Sequence, residues 1–240
     1  MTSRPALDAA RREIAFSFER GTSLCAPFLS ITRATGASIS FLGTSTAHST
    51  ICASDQTAAH LDELQFDLGE GPCWEAMRSH VPALHAHIQD EDQPVWPEFA
   101  RAIAGQPVGA LFAFPLLVSS LEIGAVDLYT AAPGAMSTAA IADASSLASL
   151  AAWQVLRRVL TEREDTSKEG SIYSRREIHQ ATGMVIAQLD VTAEDAMLLL
   201  RAHAFSRSRS VREIAAEVVE RTLSFSPQKD SDSTPSGAVK

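Results

Sequence analysis

Apolar positions near the start of the chain, Ile14, Phe18, Leu24, Phe28, Leu29 and Ile31, keep a helical spacing that predicts helix from about Pro5 to Thr35. Gly21 and Thr22 supply a break and restart in its middle, and Gly36 ends it. The period then changes. Ala37–Leu42 and Ser49–Ala53 are short apolar runs on either side of a small polar loop and read as an adjacent strand pair. A polar, helix-compatible stretch follows Ser54. Gly69-Glu70-Gly71-Pro72 then forces a tight turn before a helical run from Trp74 to Arg78. Val81–Ile88 reads as an edge strand. Glu98–Ile103 reads as a short helix after an acidic, proline-containing loop from Asp90 to Pro97. Ala110–Val118 and Glu122–Thr130, divided by Ser119, Ser120 and Leu121, have the length and apolar content of a central antiparallel pair.

From Ser137 to about Arg163 there is neither Gly nor Pro, and apolar residues populate more than one face, so a long helix contacting two surfaces is expected. Ile141, Ala144, Ala148, Ala151 and Val155 have a spacing compatible with a coiled-coil seam for a second subunit, while Leu147, Leu150, Trp153 and Leu160 make another stripe; the plain alternative is one helix buried in its own domain. Periodicity is lost over Glu162–Gly170. The chain therefore divides into a first domain of residues 1–164, a junction at 165–171, a second domain of 172–225 and a tail of 226–240, rich in Ser, Asp and Pro, that is expected to be disordered. The second domain reads as three helices. Ile178, Thr182, Val185, Ile186 and Leu189 line the first, Thr192 with Asp195 caps the second, and Ser210 with Glu213 forms a capping box for the third. The fold class is α+β followed by an all-α unit.

Charge divides the same way. Of a formal net charge of −9, residues 1–171 hold 11 Lys/Arg against 20 Asp/Glu, whereas 172–225 hold seven of each. Within the second domain, residues 201–212 carry Arg201, Arg207, Arg209 and Arg212 and no acid, so a polyanion would meet a local patch rather than a global field. Cys25, Cys52 and Cys73 have no C-x-x-C or zinc spacing. No disulfide framework or structural metal is expected, and a reducing cytoplasm fits. The first residues carry charges and lack an apolar core, and no later run has the length to span a membrane, so a soluble protein is expected.

The residues 176–185 (Arg-Glu-Ile-His-Gln-Ala-Thr-Gly-Met-Val), then Thr192-Ala193-Glu194-Asp195-Ala196, Leu200-Arg201 and Arg209-Ser210-Val211-Arg212-Glu213-Ile214-Ala215, resemble the ANTAR domain, over nearly all of Ile172–Phe225. That family implies a three-helix RNA-binding unit of transcription antiterminators. Two departures are Thr182, where the family often has Lys, and Asp190, where Gly is common. Gln65, Leu68-Gly69-Glu70-Gly71-Pro72-Cys73, Trp96-Pro97, Phe114-Pro115-Leu116 and Gly124-Ala125-Val126-Asp127-Leu128-Tyr129 resemble a GAF domain over roughly residues 22–160. This implies an antiparallel sheet flanked by helices, a pocket that in some members takes a small molecule, and dimerisation through flanking helices.

RNA recognition needs cations for phosphates and flat or hydrogen-bonding groups for unstacked bases. Arg201, His203, Ser206, Arg207, Ser208, Arg209 and Arg212 supply both, and Arg175, Arg176 and Gln180 on the preceding helix are candidates for the same surface. The plain alternative is a solvated turn. The Gly69–Cys73 loop reads as structural, since Glu70 disfavours a bound phosphate. His85 and His87 alternate near Asp90 and Asp92 but read as exposed edge residues, and His179 and His203 as surface or cap residues. No nucleophile elbow, paired catalytic carboxylates, phosphate-binding lysine loop or cofactor motif is present, so no catalytic residue, metal or cofactor is expected.

These features point to a cytoplasmic, homodimeric, signal-responsive antitermination regulator that binds RNA stem-loops in nascent transcripts. The alternatives are a DNA-binding regulator, a Cys73-dependent methionine sulfoxide reductase, and a GAF domain serving only as a dimerisation scaffold.

Overall fold

The structure is a computed structural model that describes residues 4–42, 48–89, 95–164 and 176–226. The expected junction, the tail beyond Ser226, Arg175, Asp90 and Asp92 lie outside the described residues.

The N-terminal helical region is three pieces, α1 (Arg4–Ala15), α2 (Ser17–Arg20) and α3 (Ala26–Thr32), rather than one helix broken once. Gly21 closes α2 in a left-handed conformation, as its lack of a Cβ permits. Next come β1 (Gly36–Leu42), β2 (His48–Ala53), α4 (Gln56–Leu68), α5 (Pro72–Ser79), β3 (Ala83–His85), α6 (Pro97–Ile103), β4 (Ala110–Val118), β5 (Leu121–Thr130) and α7 (Thr138–Glu164). The strands form one antiparallel sheet in the order β2-β1-β5-β4-β3. Gly124 lets β1 and β5 close up, because a Cβ there would lie 1.9 Å from the Ser40 carbonyl oxygen.

Alternation along the strands divides the core in two. Phe112, Phe114, Leu116, Val126 and Leu128 face α1, α3 and α7, where they pack with Ile14, Phe28, Leu147 and Val155. Leu111 and Tyr129 face the other way, with Leu61 of α4 and Trp96, Phe99 and Ile103 around α6. Ala125 joins Cys73 and Met77 of α5 on that second side.

The α7 seam is filled from within its own domain. Ala144, Ala148, Ala151 and Val155 are buried against the sheet and α1, so a second subunit has no access to them. Leu150, Trp153 and Leu160 are what α7 leaves exposed. Contrary to the expectation that no run reaches membrane-spanning length, Thr138–Thr161 is long and apolar enough by length and composition. Packing on the sheet and α1 accounts for its buried positions, a third of that window.

A second correction concerns the cysteines. Cys25, just before α3, and Cys52, in β2, are joined by a disulfide across a sequence separation of 27. Spacing gave no hint of it because the partners sit on different elements that only the sheet brings together. The cysteine content consequently gives no support to a reducing compartment.

The second unit is a bundle of α8 (Arg176–Leu189), α9 (Ala193–Ser206) and α10 (Val211–Val219). Ile178, Val185, Leu200, Ile214 and Val218 form its centre. Thr192 caps α9 by accepting from the Asp195 amide, and Ser210 with Glu213 closes a reciprocal capping box on α10. Asp190, the position where the resemblance led one to look for Gly, ends α8 at φ +54°.

Candidate nucleic-acid interface and buried polar cluster

The α9–α10 turn brings Ser206, Arg207, Ser208 and Arg209 together at the surface, with Ser208 in a left-handed conformation at φ +52°. The acid-free window in sequence does not survive folding, however. Glu217, one helix further on, reaches back to the turn: Arg209 donates to it, and Arg207 lies 3.9 Å away. Arg209 also lies 3.7 Å from Glu213. The hydrogen bond to Glu217 raises the guanidinium's already high pKa, so Arg209 stays charged. Glu213 serves both the Ser210 cap, which holds its carboxyl below the usual range, and Arg209, so the turn sets two cations against two carboxylates.

Arg201 and Arg212 point elsewhere. Arg201 Nε donates to the Phe66 carbonyl at 3.0 Å, and Arg212 Nε lies 3.6 Å from Glu63 Oε1. Both partners belong to α4 of the first domain. Arg176 and Gln180 are exposed on α8. Of the candidates, Ser206, Arg207, Ser208 and Arg209 form the turn set, Arg201 and Arg212 the α4-facing pair, and Arg176 and Gln180 the α8 pair.

Thr182 lies on the inward face of α8, as its spacing predicted, whereas His203 and His85, read as surface residues, have other roles. Thr182 is buried and its hydroxyl donates to the Ile178 carbonyl at 2.7 Å, so a phosphate contact from that position is not available to this chain. His203 is half-buried edge-on to Phe225, with ring centroids 5.3 Å apart; burial first, and then the Arg207 charge, lower its pKa. His85 is no exposed edge residue, since its Nε2 lies 3.0 Å from Glu75 Oε2 and its ring meets Trp96 edge-on. No group of potential metal ligands occurs among the described residues.

The first domain holds a polar cluster in its interior. Asp62 of α4 accepts from Ser40 and Thr50, and Gln65, one turn later, donates through Nε2 to Asp127 Oδ2 at 3.0 Å. Gln65 Oε1 accepts from the Cys73 amide at 2.8 Å, and the Gln65 carbonyl accepts from the Trp74 indole at 2.7 Å. Asp127 is 4% exposed. Burial, reinforced by the Asp62 charge and only partly offset by the Gln65 hydrogen bond, pushes its carboxyl up to about 8, so it carries a proton at neutral pH. Sequence reasoning did not single out this cluster. Its signal was present, in an acid at the middle of an otherwise apolar strand.

The Gly69–Cys73 turn is structural, as expected. Glu70 Oε1 accepts from the Phe99 amide at 2.7 Å and ties the turn to α6. On the opposite side of the sheet, a cleft of about 580 Å³ lies between α3 and the start of α7, with Arg33, Phe112 and Met136 in its lining.

Comparison with known proteins agrees with this division. Residues 24–153, more than half the chain, match the family model of the GAF domain, and residues 169–219 match that of the ANTAR domain. No curated protein matches the chain. Among solved structures, the GAF domain of a phosphoenolpyruvate-protein phosphotransferase from Coxiella burnetii aligns at 12% identity, covering 67% of this chain and 99% of its own, with a TM-score of 0.51. The corresponding domain from Acinetobacter aligns at 12% identity over 71% of this chain and 99% of its own, with a TM-score of 0.50. These are likenesses of fold.

Proposed function

Because the chain belongs to the GAF domain family and carries an ANTAR domain behind it, we propose that this signal-responsive regulator acts by binding RNA stem-loops in nascent transcripts and favouring an antiterminator hairpin over a terminator. The observation that carries the reading is the ANTAR match over a three-helix unit whose α9–α10 turn presents Arg207 and Arg209 together. Guanidinium forks suit phosphate, and Ser206 and Ser208 add hydrogen-bonding hydroxyls beside them. Arg176, Gln180, Arg201 and Arg212 extend the surface where they are accessible. The protein shifts the transcript only by its differential affinity for the two RNA folds.

The GAF domain is the sensing half, where an unidentified small molecule would be read. The protein acts as a homodimer in the cytoplasm, where nascent transcripts are made, and the exposed Leu150, Trp153 and Leu160 of α7 form the subunit contact. Catalysis forms no part of this reading. A sulfoxide reductase would need a resolving thiol for Cys73, and the other two cysteines are joined to each other.

A transcript pull-down tests the proposal. Wild-type protein is expected to enrich RNAs with tandem hairpins, and Arg207→Ala with Arg209→Ala to lose them. Duplex DNA competing as well as RNA would instead favour a DNA-binding regulator.

A further inference from the structure

Helix α4 has two faces with different partners. Asp62 and Gln65 point into the sheet, as described. Glu63 and Phe66, each one position further round the helix, face the ANTAR bundle. Phe66 is 3% exposed and belongs to the apolar cluster of the bundle, whose members include Leu200 and Ala204. The Arg201 guanidinium lies 5.2 Å from the Phe66 ring and 5.6 Å from the Trp74 ring, while its Nε is bonded to the Phe66 carbonyl. The turn after α4 is shaped for this arrangement, since a Cβ on Gly69 would come within 2.9 Å of Arg201 Nη1. Glu63 meets Arg212 three residues before Phe66.

We infer that α4 is a built-in mask: the GAF domain holds Arg201 and Arg212 of the ANTAR domain away from RNA, and a shift of α4 releases them. The inference rests on the RNA-binding reading above. Gln65 couples the mask to the interior of the GAF domain. Its amide bridges Asp127 and the Cys73 backbone, and its carbonyl holds the Trp74 indole. A change at Asp62 or Asp127 therefore moves the helix and both aromatic rings against which Arg201 rests. In the docked state the α9–α10 turn and the α8 pair are open, Arg201 is held against Phe66 and Trp74, and Arg212, its side chain still 38% exposed, is engaged by Glu63. RNA that needs the full set binds the released fraction, and the apparent affinity falls in proportion to that fraction.

The test uses the full chain and a labelled tandem-hairpin RNA recovered by the pull-down. Glu63→Arg opposes Arg212 with a like charge, and Phe66→Ala removes the buried anchor without changing charge. Glu122→Arg, at an exposed glutamate away from α4, controls for added positive charge. Both α4 variants are expected to bind the RNA at least about fivefold more tightly than wild type, with the control unchanged. Amide exchange in α9 is expected to rise in both RNA-free α4 variants. Should Phe66→Ala fail to fold, Glu63→Arg decides alone. Equal RNA affinity in wild type and Glu63→Arg, equal tightening by the control, or unchanged α9 exchange overturns the mask while leaving RNA binding intact. Absence of RNA binding by every form overturns the RNA reading, and the mask with it.

Discussion

Gln65 and Asp127 meet at 3.0 Å between helix α4 and the centre of the sheet, an amide donor facing a carboxyl that burial has driven to its protonated form. The folded chain holds this proton up to about pH 8, whereas an unfolded aspartate releases it near pH 4. The folded state thus binds more protons across that interval. The contribution of Asp127 to stability is complete below about pH 4 and is lost as pH rises toward 8. His203 acts in the opposite sense below neutrality, because its folded pKa is lowered. Comparison with Asp127→Asn isolates the aspartate: melting temperatures from pH 5 to 8 should show wild type losing ground to the variant as pH rises. Parallel curves would mean that Asp127 is ionised in the fold.

The Cys25–Cys52 bond closes a loop of 27 residues in separation, for which chain entropy gives a stabilisation of about 3.5 kcal/mol. Cys52→Ser, or thorough reduction of wild type, should lower the melting temperature by several degrees, and reductant should leave the variant unchanged. Alkylation of three thiols in the native, non-reduced protein would remove the premise.

Trp153 is 61% exposed on α7 between Leu150 and Leu160. If this stripe joins two copies, Trp153→Arg should convert a dimer to a monomer in sedimentation without disturbing the core, because the ring makes no part of it. A wild-type protein that sediments as a monomer would dispose of the subunit contact.

Ser210 accepts from the Glu213 amide at 3.2 Å, and Glu213 answers through the Ser210 amide at 2.9 Å. Ser210→Ala should cost the bundle about 1 kcal/mol. No tryptophan lies in residues 172–225, so the loss is best read from helix content during denaturation. No change in the transition would show that the box contributes nothing.

Elements set by local pattern were legible before folding. The length and apolar content of Glu122–Thr130 placed β5, and Thr192 and Ser210 marked the starts of α9 and α10 to the residue. What escaped was fixed by tertiary proximity. Glu217 reaches Arg209 across eight positions, Arg201 meets Phe66 across 135, and Cys25 finds Cys52 only because β2 lies beside β1. The candidate site shared this fate. Its turn residues were found from composition and resemblance, whereas the turning of Arg201 and Arg212 toward α4 depends on how two domains pack, and no periodicity within either encodes that.

Glu217 has one more consequence. Arg207 and Arg209 approach any polyanion already sharing a carboxylate, so a phosphate must displace Glu217 rather than simply shed the counterions condensed on the nucleic acid. A slope of binding against salt concentration will for that reason count fewer contacts than the turn makes, and Glu217→Gln should steepen it.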